Sequence, residues 1–150
     1  MSRSWEPENG TRSQTILFAE DDWETRECTA LLLSDAGLLV DAVENGSEAL
    51  QRFTSAPLKY NVLITDHDMP ELDGLQLVAK LRDRGFRGKI IVVSGGLSNA
   101  NAEAYLAFEV DHILSKPILS TVLIQAIMEP RPHGRGIASS SYPARSIGGN

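Results

Sequence analysis

A chain of 150 residues, 42% hydrophobic and 23% charged, is long enough for one soluble domain with its own core. Its formal charge of −6 is uneven: residues 1–13 balance Arg3 and Arg12 against Glu6 and Glu8, residues 130–150 carry three arginines and no acid, and the middle therefore carries −9. An acidic body repels nucleic-acid phosphates and argues against DNA binding; the single Cys28 excludes an intrachain disulfide and a multi-cysteine zinc site; and no apolar run has membrane-spanning length.

Residues 1–13 read as a disordered N-terminal tail; they are polar and lack a signal-peptide core, which implies a cytoplasmic protein. Ile16-Leu17-Phe18-Ala19 has the length and composition of a strand and runs into Glu20-Asp21-Asp22. Acids are favoured at a helix start by the macrodipole, and that lesser role falls to Asp22 as N-cap of a helix from Trp23 to Ala36, with Gly37 in the left-handed position beyond it. Cys28 is expected to pack as a small hydrophobe on this helix, and Trp23 reads equally as an aromatic flank of the acids or as helix packing.

Leu38 to Val43 predicts a second strand, and Asn45-Gly46-Ser47 turns into a short helix whose Ala49, Leu50 and Phe53 share a face, ending before Pro57. The apolar run Val62-Leu63-Ile64-Thr65 then delivers Asp66 to the polar loop His67-Asp68-Met69-Pro70. Asp73-Gly74 opens a helix with Leu77, Val78 and Leu81 as its buried stripe, and Arg84-Gly85-Phe86-Arg87-Gly88 ends it. A fourth strand, Ile90-Ile91-Val92-Val93, reaches Ser94-Gly95-Gly96, and Asn99 to Phe108 reads as a helix rich in alanine. The fifth, Ile113-Leu114-Ser115, ends at Lys116-Pro117, and a helix from Leu119 to Met128 closes a domain spanning 14–129. On that last helix the wheel buries Ile118, Leu119, Val122, Leu123, Ala126 and Ile127 and leaves Ile124 and Met128 outward, which reads as a partner or homodimer surface. Residues 130–150, rich in Pro, Gly and Ser, read as a disordered C-terminal tail with no output domain.

Alternation of strand and helix through five units predicts an α/β fold: a doubly wound five-stranded parallel sheet of order 2-1-3-4-5, flavodoxin-like (βα)5, with helices on both faces. Such sheets bind ligands beyond the carboxyl ends of their strands, and there Glu20-Asp21, Asp66, Ser94 and Lys116 converge. Asp66 alone is readable as a turn residue or helix cap, Ser94 as a loop hydroxyl and Lys116 as a solvated lysine; what argues for chemistry is their company.

Glu20-Asp21, Asp66-x-x-Met69-Pro70-x-x-Asp73-Gly74, Ser94 and Lys116-Pro117, in this order, resemble the receiver domain of two-component response regulators over residues 14–129. The resemblance implies a stand-alone, chemotaxis-regulator-like signalling domain in which Asp66 accepts phosphate from a histidine kinase or histidine phosphotransfer protein, then switches binding to a protein target. A relay intermediate or phosphate sink is the alternative within the family. It also implies that the backbone carbonyl of Asp68 completes a metal site, that the Asp68 side chain tunes hydrolysis of the acyl phosphate, and that the Lys116-Pro117 peptide is cis.

The chemistry is arguable from the residues themselves. A carboxylate nucleophile approaching a phosphoryl group brings anion toward anion, so a divalent metal and fixed cations must offset the repulsion. Mg2+ prefers oxygen ligands and retains waters, which suits Asp21 and Asp66 as direct ligands and Glu20 through water. Lys116 would place an ammonium, and Ser94 a hydroxyl, on phosphoryl oxygens. His67 lacks partners at metal-ligand spacing and is expected as an exposed loop histidine.

Asp66-His67-Asp68 also matches the Asp-x-Asp start of haloacid-dehalogenase-like phosphatases, with Asp66 as nucleophile and Asp68 as acid/base. There the metal-binding acidic pair follows the lysine, whereas here it precedes Asp66, and there is no cap domain. A scaffold without chemistry would lack a site residue, and none is lacking. One departure from the receiver pattern is Ile113, three residues before Lys116, where receivers usually carry the Tyr or Phe that moves with the Ser/Thr on phosphorylation. Gly95-Gly96 makes the Ser94–Leu97 loop the expected moving part.

Overall fold

The computed structural model of the protein describes residues 14–131. The predicted N-terminal tail lies outside them, as does the C-terminal one apart from Pro130 and Arg131. Strands β1 (Thr15–Ala19), β2 (Leu39–Val43), β3 (Val62–Asp66), β4 (Lys89–Ser94) and β5 (His112–Ser115) alternate with helices α1 (Trp23–Asp35), α2 (Gly46–Ser55), α3 (Gly74–Asp83), α4 (Asn99–Ala107) and α5 (Ser120–Met128). All pairings are parallel, in the order β2-β1-β3-β4-β5, as predicted.

Alternation along the strands divides the interior in two. Leu17, Ala19, Leu63, Ile90 and Val92 face a cluster with Ala49 and Phe53 of α2, Leu77, Val78 and Leu81 of α3, and Tyr105 of α4. Ile16, Phe18, Val62, Ile64, Ile91 and Val93 face the other way, toward Leu33 of α1 and Leu123, Ala126 and Ile127 of α5. Because β1, β3 and β4 are buried on both faces, they read as continuous apolar runs.

The helix starts obey their caps. Asp22, Asn45, Asp73 and Ser98 each accept from the backbone N–H three residues on, and Gln76 returns a bond to the Asp73 N–H to complete a capping box. Gly37 follows α1 with φ of 91°, the left-handed conformation that glycine adopts without steric cost.

Two helices differ from expectation. On α1 only Leu33 is buried, and Cys28 is exposed instead of packed. The short side chains of Thr25, Cys28 and Thr29 do not fill the space over Phe18 and Ile64, and a cleft of about 810 Å3 opens there between α1 and α5. On α5 Leu119 and Val122 are exposed and Ile124 packs on the core, because the helix rests on the sheet through Leu123, Ala126 and Ile127. Met128 is exposed as predicted.

Polar contacts hold the opposite end of the sheet. The Lys89 ammonium is buried and donates to the carbonyls of Ala126 (2.7 Å), Ile127 (2.9 Å) and Glu129, closing the last turn of α5. Arg131 is tied there too, its Nε donating to Asp111 Oδ1 at 3.0 Å and its Nη1 to the Arg87 carbonyl at 2.6 Å.

At the start of α3, a Cβ on Gly74 would lie 2.5 Å from the Asp66 carbonyl oxygen and 2.6 Å from the Tyr105 hydroxyl. Gly74→Ala is expected to destabilise the fold by about 1–3 kcal/mol through overpacking against backbone, measured as a lowered urea midpoint. Lys89→Met should cost about 1–3 kcal/mol by leaving the α5 carbonyls without their donor, and an unchanged midpoint would contradict this role.

Candidate functional site

Register brings the predicted residues together. Ala19 of β1 pairs with Thr65 of β3, Asp66 with Val93 of β4, and Ser94 with Ser115 of β5. Glu20, Asp66, Ser94 and Lys116 therefore stand at or just beyond adjacent strand ends, the place where open α/β sheets carry ligands.

Glu20 and Asp66 are buried, and the Lys116 ammonium lies 3.2 Å from Glu20 Oε1 and 3.4 Å from Asp66 Oδ1. Burial raises the pKa of both acids; for Glu20 the backbone N–H of Asp22 opposes this before Lys116 does, and for Asp66 the Lys116 charge is the main opposition. Burial also acts on Lys116, in the direction of losing its proton, but the two carboxylates outweigh it and its pKa ends above the ordinary lysine value. The three groups are therefore a charge-compensated cluster with one carboxylate in excess.

Asp21 is exposed beside this pair. One carboxylate oxygen from each of Glu20, Asp21 and Asp66 lies within 4.8 Å of the others, an all-oxygen set of the kind a hard divalent cation takes. The Asp68 side chain is exposed and stands outside this cluster. Asp22 turns away to cap α1, accepting from the Thr25 N–H (2.9 Å) and hydroxyl (2.6 Å), and these bonds lower its pKa.

Ser94 is buried at the end of β4, and its hydroxyl oxygen accepts from the Gly96 N–H at 3.1 Å. It is thus engaged with its own loop rather than with Asp66. The Lys116 N–H donates to the Ser94 carbonyl at 2.9 Å, and the Lys116-Pro117 peptide is cis. Ile113 is half-buried against the cluster under α3 and α4.

The expectation of an exposed His67 is wrong. His67 is 8% exposed, its Nδ1 is 2.6 Å from the Tyr105 hydroxyl, and the two rings meet edge to face at 5.6 Å. The reason is strand alternation: Asp66 points toward α1 and α5, so the next residue points into the cluster beneath α3 and α4. A tyrosine amid the alanines of the fourth helix was the one signal of this pair in the sequence.

Arg26 is a second residue that motif spacing does not reveal. Its Nη1 donates to the Glu20 carbonyl at 2.9 Å and to the Asp21 carbonyl at 3.5 Å, fixing the backbone that presents both acids. The cleft between α1 and α5 reaches this cluster, with Glu20, Asp66 and Lys116 at its polar end.

Among known proteins, residues 16–128 match the family model of the response regulator receiver domain. The chain is 31% identical over 113 residues to two-component system protein A of Emericella nidulans, covering 75% of this chain and only 17% of that much longer protein. It is 32% identical over 112 residues to the response regulator receiver protein CpdR of Brucella abortus, covering 75% of this chain and 92% of that one. The crystal structure of a response regulator receiver domain protein from Clostridium thermocellum superposes with a TM-score of 0.72 at 25% identity, over 76% of this chain and 90% of that one. With the family model spanning all five strands and helices, the chain belongs to the receiver domains of two-component response regulators.

Proposed function

We propose that the chain is a phosphoacceptor switch: Asp66 takes a phosphoryl group from a histidine kinase or histidine phosphotransfer protein, with Mg2+ bound, and the altered surface changes binding to a protein target. The observation that carries this reading is the contact of one half-buried lysine, Lys116, with two buried acids at the ends of different strands, Glu20 and Asp66. The structural Lys89 is satisfied by neutral carbonyls, whereas Lys116 faces two carboxylates, and a buried excess carboxylate is costly unless a cation completes the site.

In the transfer, a carboxylate oxygen of Asp66 forms the new bond to phosphorus as the bond from phosphorus to the donor imidazole nitrogen breaks, its electron pair leaving with that nitrogen. Asp21 and Asp66, with Glu20 through water and the Asp68 carbonyl, would hold the metal. When bound, Mg2+ supplies the positive charge that offsets repulsion between the carboxylate and the phosphoryl oxygens. Lys116 is already beside Asp66, where its ammonium can shift onto a phosphoryl oxygen. The Ser94 hydroxyl accepts from the Gly96 N–H and still has its own O–H to donate to a phosphoryl oxygen, and Gly95 and Gly96 have open space in which the loop can follow it.

The acidic cluster that accompanies Asp66 comes from the end of β1 and excludes the exposed Asp68 side chain, which favours this reading over a phosphatase using Asp68 as acid/base. For the target or a second copy, the exposed Leu119 just before α5 and Val122 and Met128 on it supply apolar surface.

Incubation with acetyl phosphate and Mg2+ should add one phosphoryl mass to the intact wild-type protein and none to Asp66→Asn; an equal adduct on both would place the acceptor elsewhere. Lys116→Met should slow adduct formation by on the order of 100-fold, the effect of losing one donor to developing charge.

The raised pKa of Asp66 has a definite sign in a titration. In metal-free protein its carboxyl 13C signal should titrate above the ordinary aspartate midpoint of about 3.9. Lys116→Met should move it higher still, because the opposing positive charge is gone. A midpoint unmoved by that substitution would separate the lysine from the acceptor.

A further inference from the structure

Tyr105 is the one buried side chain of α4, and it is fully buried. Its hydroxyl meets His67, the residue directly after Asp66, and Asn101 one turn earlier on α4 places its amide nitrogen 3.4 Å from the other ring nitrogen of His67. His67 is itself held rigidly to the end of the sheet: its N–H donates to the Val93 carbonyl at 3.1 Å, and its carbonyl accepts from the Gly74 N–H at 2.9 Å. One anchorage of α4 to the body of the domain therefore reaches the backbone of the proposed acceptor; a second is Arg82 of α3, whose Nε donates to the carbonyl of Phe108 at the far end of the helix at 2.8 Å.

The other line from the site to α4 runs through the chain. Ser94 leads over Gly95, Gly96 and Leu97 to Ser98, the cap of α4. A turn of the Ser94 hydroxyl away from the Gly96 N–H would free this loop at one end of the helix, while Tyr105 holds the helix farther along. A hydrogen bond buried this deeply is either made or lost with both partners stranded, so it favours two discrete positions over a continuous drift.

We propose that the bond between His67 and Tyr105 is a pin that holds α4 in one position against the acceptor strand and sets how far a change at Asp66 and Ser94 moves that helix. The proposal rests on Asp66 being the phosphoacceptor. His67 and Tyr105 are positioning residues: they act through the backbone of Asp66 and through α4, not on the phosphoryl group. The hydroxyl that forms the pin stays protonated, since burial and the nearby carboxylates of Asp73, Asp66 and Asp68 all raise its pKa.

The test compares the full-length wild type, Tyr105→Phe, which keeps the buried ring, and His67→Phe, which keeps an aromatic ring against Tyr105. Intact mass after acetyl phosphate and Mg2+ comes first. All three proteins should form the adduct at rates within about twofold, as expected for residues outside the transfer chemistry; no adduct on the wild type would defeat the phosphoacceptor reading itself. Amide exchange of α4 is then followed with and without beryllofluoride and Mg2+.

Wild-type α4 should exchange at least about threefold faster with the probe, reporting local release of the helix. Each variant should show the faster exchange without the probe and less than half of the wild-type change on adding it. Variant α4 exchange that matches wild type in both states overturns the pin. Where a variant does not fold, the 15N signals of the wild-type His67 ring decide: a shift on adding the probe supports the pin, and unchanged signals overturn it.

Discussion

The Lys116 ammonium is the interaction on which the carboxyl end of this sheet depends. Parallel strands in register bring Glu20 and Asp66 to neighbouring ends with both side chains buried, an arrangement that would otherwise force one of them to take up a proton. A positive charge within 3.4 Å of both removes most of that conflict but leaves one acid in excess, and exposed Asp21 adds another at the rim. The residual negative charge is directed at a place rather than spread over a surface. A focused charge of that kind is compatible with a divalent cation in a way that an evenly acidic face is not.

Strand alternation then divides the labour between two faces. Glu20, Asp66 and Lys116 project to the side of α1 and α5, where they line the cleft. His67 projects to the side of α3 and α4, into close-packed interior. One peptide bond thus joins the proposed acceptor carboxylate to a buried side chain on the opposite face. Close approach of Gly74 to the Asp66 carbonyl, together with the Val93 and Gly74 bonds to His67, leaves that peptide little freedom to absorb a displacement.

Much of this was legible in the sequence because it depends on local rules. The strand runs ending in acids, serine and lysine, the caps Asp22 and Asp73, and the left-handed Gly37 each follow from a few neighbouring residues. What escaped depends on how elements sit against one another. His67 follows a polar residue in a polar loop, yet β3 still aims it inward. The wheel of α5 has the correct centre at Leu123, Ala126 and Ile127 but the buried arc is turned about it, with Val122 outward and Ile124 against the core, since the orientation of the helix on the sheet is set by packing. Cys28 was expected inside because α1 borders the core, but only the far end of that helix reaches it, at Leu33.

Magnitudes decide what the His67 and Tyr105 link can contribute to switching. A neutral hydrogen bond contributes a net of about 1 kcal/mol, whereas moving a helix from 1:99 to 99:1 between two positions takes about 5.5 kcal/mol. The pin therefore cannot drive the change. On the phosphoacceptor reading, the larger part would come from contacts made only to the phosphoryl group, those proposed for Lys116 and Ser94, since hydrogen bonds to charged groups contribute about 1.5–3 kcal/mol each. The pin sets the threshold those contacts must exceed. By linkage, a partner that bound α4 in its released position would favour the proposed phosphorylated state by the same free energy that phosphorylation would lend to the partner.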